Sequence, residues 1–156
     1  MNKLIIIIFL IFFFSQNSFS NEIKFTKLTD LNDPWGSSFI DNDEIIITEK
    51  SGKIKIVNIN SKITKEINHN LNYLDYGQGG LLDIVYKKDT LWVSYTENRG
   101  NWKSSTSIAK AIFNKNKLNF KNIFQANPPI DSGYHFGSRL AIKDNYIFAS
   151  AGERGK

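Results

Sequence analysis

Short β-type segments that come in pairs, each pair closing on a glycine, constrain this chain more than any other feature of its sequence. Glu44–Thr48 is β-branched and apolar, Ser51–Gly52 is a turn, and Lys53–Asn58 alternates apolar and polar residues at period two. Two such runs around a glycine-containing turn predict a hairpin. Gly80–Tyr86 and Thr90–Tyr95 make a second pair across Lys87-Lys88-Asp89, and Ser107–Phe113 with Leu118–Phe124 continue it outward. Ser138–Ile142 and Tyr146–Ser150 open a third across Lys143-Asp144-Asn145. No segment past residue 20 carries the 3.6-residue period of an amphipathic helix, so an all-β fold is expected.

The pairs also repeat at a definite spacing. Their charged closings are Thr48-Glu49-Lys50-Ser51-Gly52, Thr96-Glu97-Asn98-Arg99-Gly100 and Ala151-Gly152-Glu153-Arg154-Gly155, with final glycines 48 and 55 residues apart. Propeller blades repeat at roughly 40–50 residues. Each is a small twisted antiparallel sheet that buries its faces only against neighbouring blades. Three closings correspond to about two four-stranded antiparallel blades and the start of a third. Closed propellers need roughly four to eight blades, so the expectation is a truncated part of a longer propeller domain running from residue 21 to 156. A β-sandwich of similar strands is the alternative, but a sandwich needs no such repeat.

The amino terminus predicts export. Met1-Asn2-Lys3 is a short positive start, Leu4–Phe14 is apolar for 11 residues, and Ser18-Phe19-Ser20 places small residues where a signal peptidase reads. The apolar run is short of the roughly 20 residues a spanning helix needs. Residues 1–20 are therefore expected to be a cleaved signal peptide and the protein periplasmic, with no stable membrane insertion after cleavage. With no cysteine, neither a lipid-modified terminus nor a disulfide framework is available. The net charge of +5 is spread among interspersed Lys, Asp and Glu, without the basic stripe that nucleic-acid binding requires.

Two polar clusters fall in loops. Tyr76-Gly77-Gln78-Gly79-Gly80 sets three glycines around a glutamine, allowing a tight turn and close approach to a ligand, with Gln78 offering donor and acceptor. Ser132-Gly133-Tyr134-His135-Phe136-Gly137-Ser138-Arg139-Leu140 carries one of the two histidines, and an imidazole with an unperturbed pKa of about 6.5 is suited to take a proton at physiological pH. The other, His69, lies in a polar stretch that reads as solvated. No His, Cys, Asp and Glu set has metal-ligand spacing.

Taken together, Gly77–Asp83 and Gly133–Leu140 resemble the soluble quinoprotein sugar dehydrogenases, the glucose/sorbosone dehydrogenase family. Pro34–Phe39, Ile47–Lys53 and Ala151–Gly155 are similar to other stretches of that family, in the same order. The resemblance implies a six-bladed propeller carrying pyrroloquinoline quinone (PQQ) near the axis of its top face. It implies that His135 is the general base, taking the proton of an aldose C1 hydroxyl while hydride passes to the quinone to give a lactone, and that Gln78 contacts cofactor and substrate. It also implies a respiratory electron acceptor, and calcium whose ligands, like the arginine and asparagine contacts to PQQ, are expected beyond Lys156. On that basis the fragment alone is expected to be inactive. Tyr134 stands where the glucose-oxidising branch carries an acid, which leans toward the broader aldose-dehydrogenase branch. Arg139 reads as a strand or packing residue and Arg154 as a turn residue. The alternative is a propeller without redox chemistry that binds a glycan or a protein partner, with Trp35, Trp92 and Trp102 as candidate stacking platforms.

Overall fold

In the computed structural model, residues 23–155 are described; residues 1–20, expected to be a signal peptide, lie outside them. The described residues form eleven strands and no helix: β1 Pro34–Phe39, β2 Glu44–Glu49, β3 Lys53–Asn58, β4 Thr64–His69, β5 Leu81–Lys87, β6 Thr90–Asn98, β7 Ser104–Ile112, β8 Lys117–Leu118, β9 Lys121–Gln125, β10 Leu140–Lys143 and β11 Tyr146–Ala149. β1 to β4 form one antiparallel meander, to which β8 adds a short parallel pairing; β5, β6, β7 and β9 form a second; β10 and β11 form a hairpin. The all-β reading holds, as does the pattern of two four-stranded units followed by the opening of a third.

The alternation in β3 does what period two demands. Ile54 and Ile56 turn to the core with Ile46 and Ile67, and this layer packs on Leu81, Ile84, Leu91, Val93, Tyr95 and Ala109 of the second sheet. At about 25 cal/mol per Å² of buried apolar surface, that shared core is the main term holding the sheets together. Within it, burial pushes the Tyr95 phenol up to about 12, although the hydroxyl keeps a 2.7 Å hydrogen bond to Asn122.

Two strands lack an apolar signature. β1 (PWGSSF) presents Gly36 to the second sheet so closely that a Cβ there would sit 2.7 Å from Leu82 O and Asp83 Cα. The Thr48 hydroxyl donates to Leu82 O at 2.5 Å across the same seam. β4 (TKEINH) buries Ile67 alone among its six residues. The stretch Leu118–Phe124, expected as one strand, is split instead. Leu118 and Phe120 point into the core shared with the first sheet, and Asn70 brackets Phe120 with bonds of 2.7 and 3.1 Å to its N–H and C=O. Lys121–Gln125 then pairs with β7. Burying two apolar side chains on one sheet while pairing the backbone with another cannot be done by one straight strand.

The connectivity decides where loops emerge. Adjacent strands in each meander are antiparallel, so the turns 50–52 and 99–103, the loops 70–80 and 126–139, and the segment after β11 all leave the sheets at one end.

Candidate functional site

At that end the two clusters picked out from the sequence meet. Gln78 and His135 are both exposed, and the backbone N–H of His135 donates to Gln78 Oε1 at 2.9 Å. The Gln78 N–H donates in turn to Gly133 O at 2.8 Å. Glycine is required for this approach: Gly77 has φ +60°, and a Cβ on it would lie 2.4 Å from Gly133 O. The loops come together because each precedes the first strand of its unit, β5 and β10, and those strands are fastened to one another. Buried Asp83 accepts from Leu140 N at 2.8 Å and from Arg139 Nη1 at 3.2 Å, while the Ser94 hydroxyl donates to Ser138 O at 2.6 Å.

His135 sits in the left-handed region, φ +49°, which is uncommon for a residue other than glycine and is held only where its surroundings dictate it. Three contacts dictate it here. Gln78 takes its N–H, Thr106 Oγ1 donates to the carbonyl of the next residue, Phe136, at 2.7 Å, and Gly152 passes so close that a Cβ would lie 1.9 Å from His135 O. The ring projects to solvent with Nδ1 2.5 Å from Glu153 Oε1. The His135 ring beside Glu153 holds that carboxyl below the usual carboxylate range. A carboxylate accepting Nδ1–H selects the tautomer whose Nε2 carries a free lone pair, the form a general base needs. The loop therefore offers an oriented imidazole, open to a substrate, beside an amide whose oxygen is engaged and whose N–H₂ donors remain.

Arg154 is not simply the turn residue its sequence context indicated. Its side chain is buried and lies 3.8 Å over the Phe136 ring. It donates to Tyr134 O at 3.0 Å, to Ser104 O at 3.1 Å, to Ser104 Oγ at 3.1 Å and to Ser132 O at 2.5 Å. Burial lowers its pKa. Arg154 thus ties both sides of the His135 loop to the top of β7. His69, read as solvated, is half-buried at the end of β4, with Nε2 2.7 Å from Gly52 O and Nδ1 accepting the Leu71 N–H at 3.2 Å. Both its nitrogens are committed to backbone, so it closes the first unit rather than facing a ligand.

Glu153 escapes a sequence reading as a partner of His135 because the two are 18 residues apart, within a motif that looks like a glycine turn. A signal is present, since a carboxylate following β11 must emerge at the same end as a loop preceding β10. Among the described residues, no group of three or more His, Cys, Asp or Glu side chains is placed to hold a metal ion. Nor does any helix among them have the length and apolarity to cross a membrane.

Known proteins resemble this chain in sequence and in fold. Residues 31–156 match the family described as Glucose / Sorbosone dehydrogenase. The aldose sugar dehydrogenase YliI of Escherichia coli is 27% identical over 136 residues, which is 81% of this chain and 37% of that protein. An uncharacterised protein of Synechocystis, slr1608, is 31% identical over 86% of this chain and 36% of its own length. The chain spans about a third of the length of these relatives. The fold superposes on a solved glucose dehydrogenase with TM-score 0.78 at 26% identity, covering 84% of this chain and 41% of that one. The apo-form of the Escherichia coli aldose sugar dehydrogenase gives TM-score 0.74 at 26% identity over 81% of this chain and 39% of that one. The PQQ-bound aldose sugar dehydrogenase of Streptomyces coelicolor gives 0.74 at 20% identity, covering 86% and 42% of the two chains, a likeness of fold. With the Gln78 and His135 loops meeting at one end of adjoining propeller sheets, the sequence match and the superpositions agree: this chain belongs to the glucose/sorbosone dehydrogenase family.

Proposed function

We propose that this segment supplies the proton-accepting corner of a periplasmic PQQ-dependent aldose dehydrogenase of six blades, with His135 as base and Gln78 as a cofactor and substrate contact. The observation that carries the reading is the contact between the two loops, which joins residues 57 apart in sequence through the His135 N–H and Gln78 Oε1. The donor set suits the quinone end of PQQ, since the Gln78 N–H₂ group can donate to a carbonyl oxygen and the imidazole stands beside it. Of the cations at this end, Lys50 pairs with Asp75 and Arg99 with Glu97, and Lys103 is exposed. Family membership and the PQQ in the Streptomyces coelicolor neighbour support the cofactor; calcium and the respiratory acceptor rest on the resemblance. When bound, PQQ supplies a two-electron sink for the C1 hydride.

The chain's own residues then have defined tasks. Nε2 of His135 takes the C1 hydroxyl proton as the C1–H bond breaks, so that the oxygen forms the lactone C=O. Glu153 accepts Nδ1–H, keeps the ring in the productive tautomer and stabilises the imidazolium that results. The left-handed backbone at His135 and the Arg154 clamp fix the direction of the ring. In the full reading frame loaded with PQQ, dye reduction with aldoses should fall at least 100-fold in His135→Ala, roughly the order of effect expected for a general base. An unchanged rate would remove His135 from the mechanism.

A further inference from the structure

We propose that the end of the sheets opposite the His135 rim docks on a lipid bilayer surface bearing anionic headgroups. Strand direction fixes which residues lie there. The turns 40–43, 59–63, 88–89, 113–120 and 144–145 leave the sheets at that end, away from the loops that carry Gln78 and His135.

Charge is divided unevenly between the two ends. Residues 40–44, 58–65, 87–90, 110–121 and 143–146 hold nine lysines against five acids. At the His135 rim, residues 31–35, 48–53, 66–80, 97–104, 125–139 and 151–155 hold six cations against seven acids. The positive excess therefore belongs to one end. Lys115 is paired with Glu44 at 2.5 Å, whereas Lys62, Lys88, Lys117 and Lys143 are exposed to solvent.

The same end exposes large apolar side chains at or beside strand termini: Phe39 at 62%, Ile63 at 67%, Ile112 at 73% and Tyr146 at 71%. They stand among the lysines, Ile63 following Lys62 and Tyr146 opposing Lys143 across the β10–β11 hairpin. The turns also make one surface. The Lys115–Glu44 pair and a 3.1 Å bond from Lys65 Nζ to Asn116 Oδ1 join the first two units. A recess of about 300 Å³ walled by Lys87, Lys88, Trp92, Asp144 and Tyr146 joins the second unit to the hairpin.

This composition selects lipid over protein. Protein interfaces favour arginine and are poor in lysine, and among the described residues lysine is the cation of this end, without arginine. A lysine lays its apolar stem along a bilayer interface while its ammonium reaches the phosphates, and each one near an anionic surface strengthens binding about 5-fold. Exposed apolar side chains between the lysines add contact that a purely electrostatic partner does not need. The expected export of the chain brings it to such a surface. Docked this way, the His135 rim faces away from the lipid and stays open to solute.

The test sediments this chain in its exported form, without residues 1–20, with vesicles of phosphatidylcholine alone or of equimolar phosphatidylcholine and phosphatidylglycerol. Binding to the mixed vesicles should be at least about 10-fold tighter and should be lost at roughly 1 M salt, where the screening length is about 3 Å. Lys117→Glu combined with Lys143→Glu should weaken it about 10-fold or more, and Phe124→Glu, on the open side of the second unit, should leave it unchanged. The chain has no cysteine, so a fluorophore can be attached to Tyr146→Cys or to Trp102→Cys; vesicles should shield the first from aqueous iodide and not the second. No binding to mixed vesicles, equal binding to both kinds, dependence on Phe124, or shielding at Trp102 would overturn the proposal. Capture of an acidic protein by this end without vesicle binding would do the same. If the double variant does not fold, the wild-type salt dependence decides, since binding that survives 1 M salt is not made by these lysines.

Discussion

At His135 the backbone conformation sets how the ring is presented. Residue type alone allows an imidazole many roles; the left-handed φ, the Gln78 acceptor and the adjacent Glu153 leave one orientation. The pairing has a sign that can be checked. The Glu153 pKa is depressed, first by its hydrogen bond with His135, so its contribution is present above the ordinary carboxylate pKa and is lost as pH falls through the lower folded value. In His135→Ala, a carbon-detected NMR titration should find the Glu153 carboxyl returned toward its usual range; a carboxyl that stays low would mean the ring is not its partner. If the proposed dehydrogenase reading is right, Glu153→Gln should lower that activity roughly 10-fold, with the largest share in kcat, as expected of a residue that positions a base. Of these three residues the sequence pointed to Gln78 and His135 through glycine-rich context. Glu153 was hidden because its relation to His135 is made only when β10 and β11 pair.

The elements are joined by contacts that composition does not advertise. Gly36 lets β1 lie against β5, and an added methyl would press on the backbone at Leu82 and Asp83. Backbone cannot move aside as a flexible side chain can, so Gly36→Ala should destabilise by about 1–3 kcal/mol in urea melts. Arg154 clamps the 131–139 loop from beneath with bonds to Ser104, Ser132 and Tyr134. Arg154→Lys keeps the charge but loses the forked donor geometry, leaving the buried Ser104 carbonyl short of a partner at about 1–3 kcal/mol. Amide exchange in residues 131–139 should then quicken more than in β2 or β3; uniform quickening would make Arg154 a global stabiliser and not a loop clamp. β2, β3, β5, β6, β10 and β11 were legible because their apolar pattern is local. β1 and β4 were not, because their strand state comes from pairing with β2 and β3 and from one inward residue each, Gly36 and Ile67.

Over the whole molecule, the second unit and the β10–β11 hairpin leave apolar surface open. Phe124 is 52% exposed and Phe148 56%, beside a cleft of about 310 Å³ lined by Ile108, Ile123, Phe124 and Ile147. Propeller sheets bury such faces against neighbours, and an exposed apolar patch promotes association. This chain should bind a hydrophobic dye and scatter light increasingly with concentration, and Phe124→Glu should reduce both. A monodisperse, dye-silent wild type would show the patch is too small to matter. The export reading belongs to this scale too: mass spectrometry of protein from the periplasm should find Asn21 as the first residue.

By itself the amino-acid order determined the β class, the blade-length repeat and the two loops that carry Gln78 and His135, since each depends on side-chain alternation or glycine placement within a few residues. Tertiary structure alone decided that the loops touch, that Glu153 faces the imidazole, that Arg154 lies beneath the loop and that Leu118–Phe124 divides between two sheets. Those outcomes depend on which strand ends share a rim and how near neighbouring backbones approach, and both are fixed by the packing of one sheet on the next.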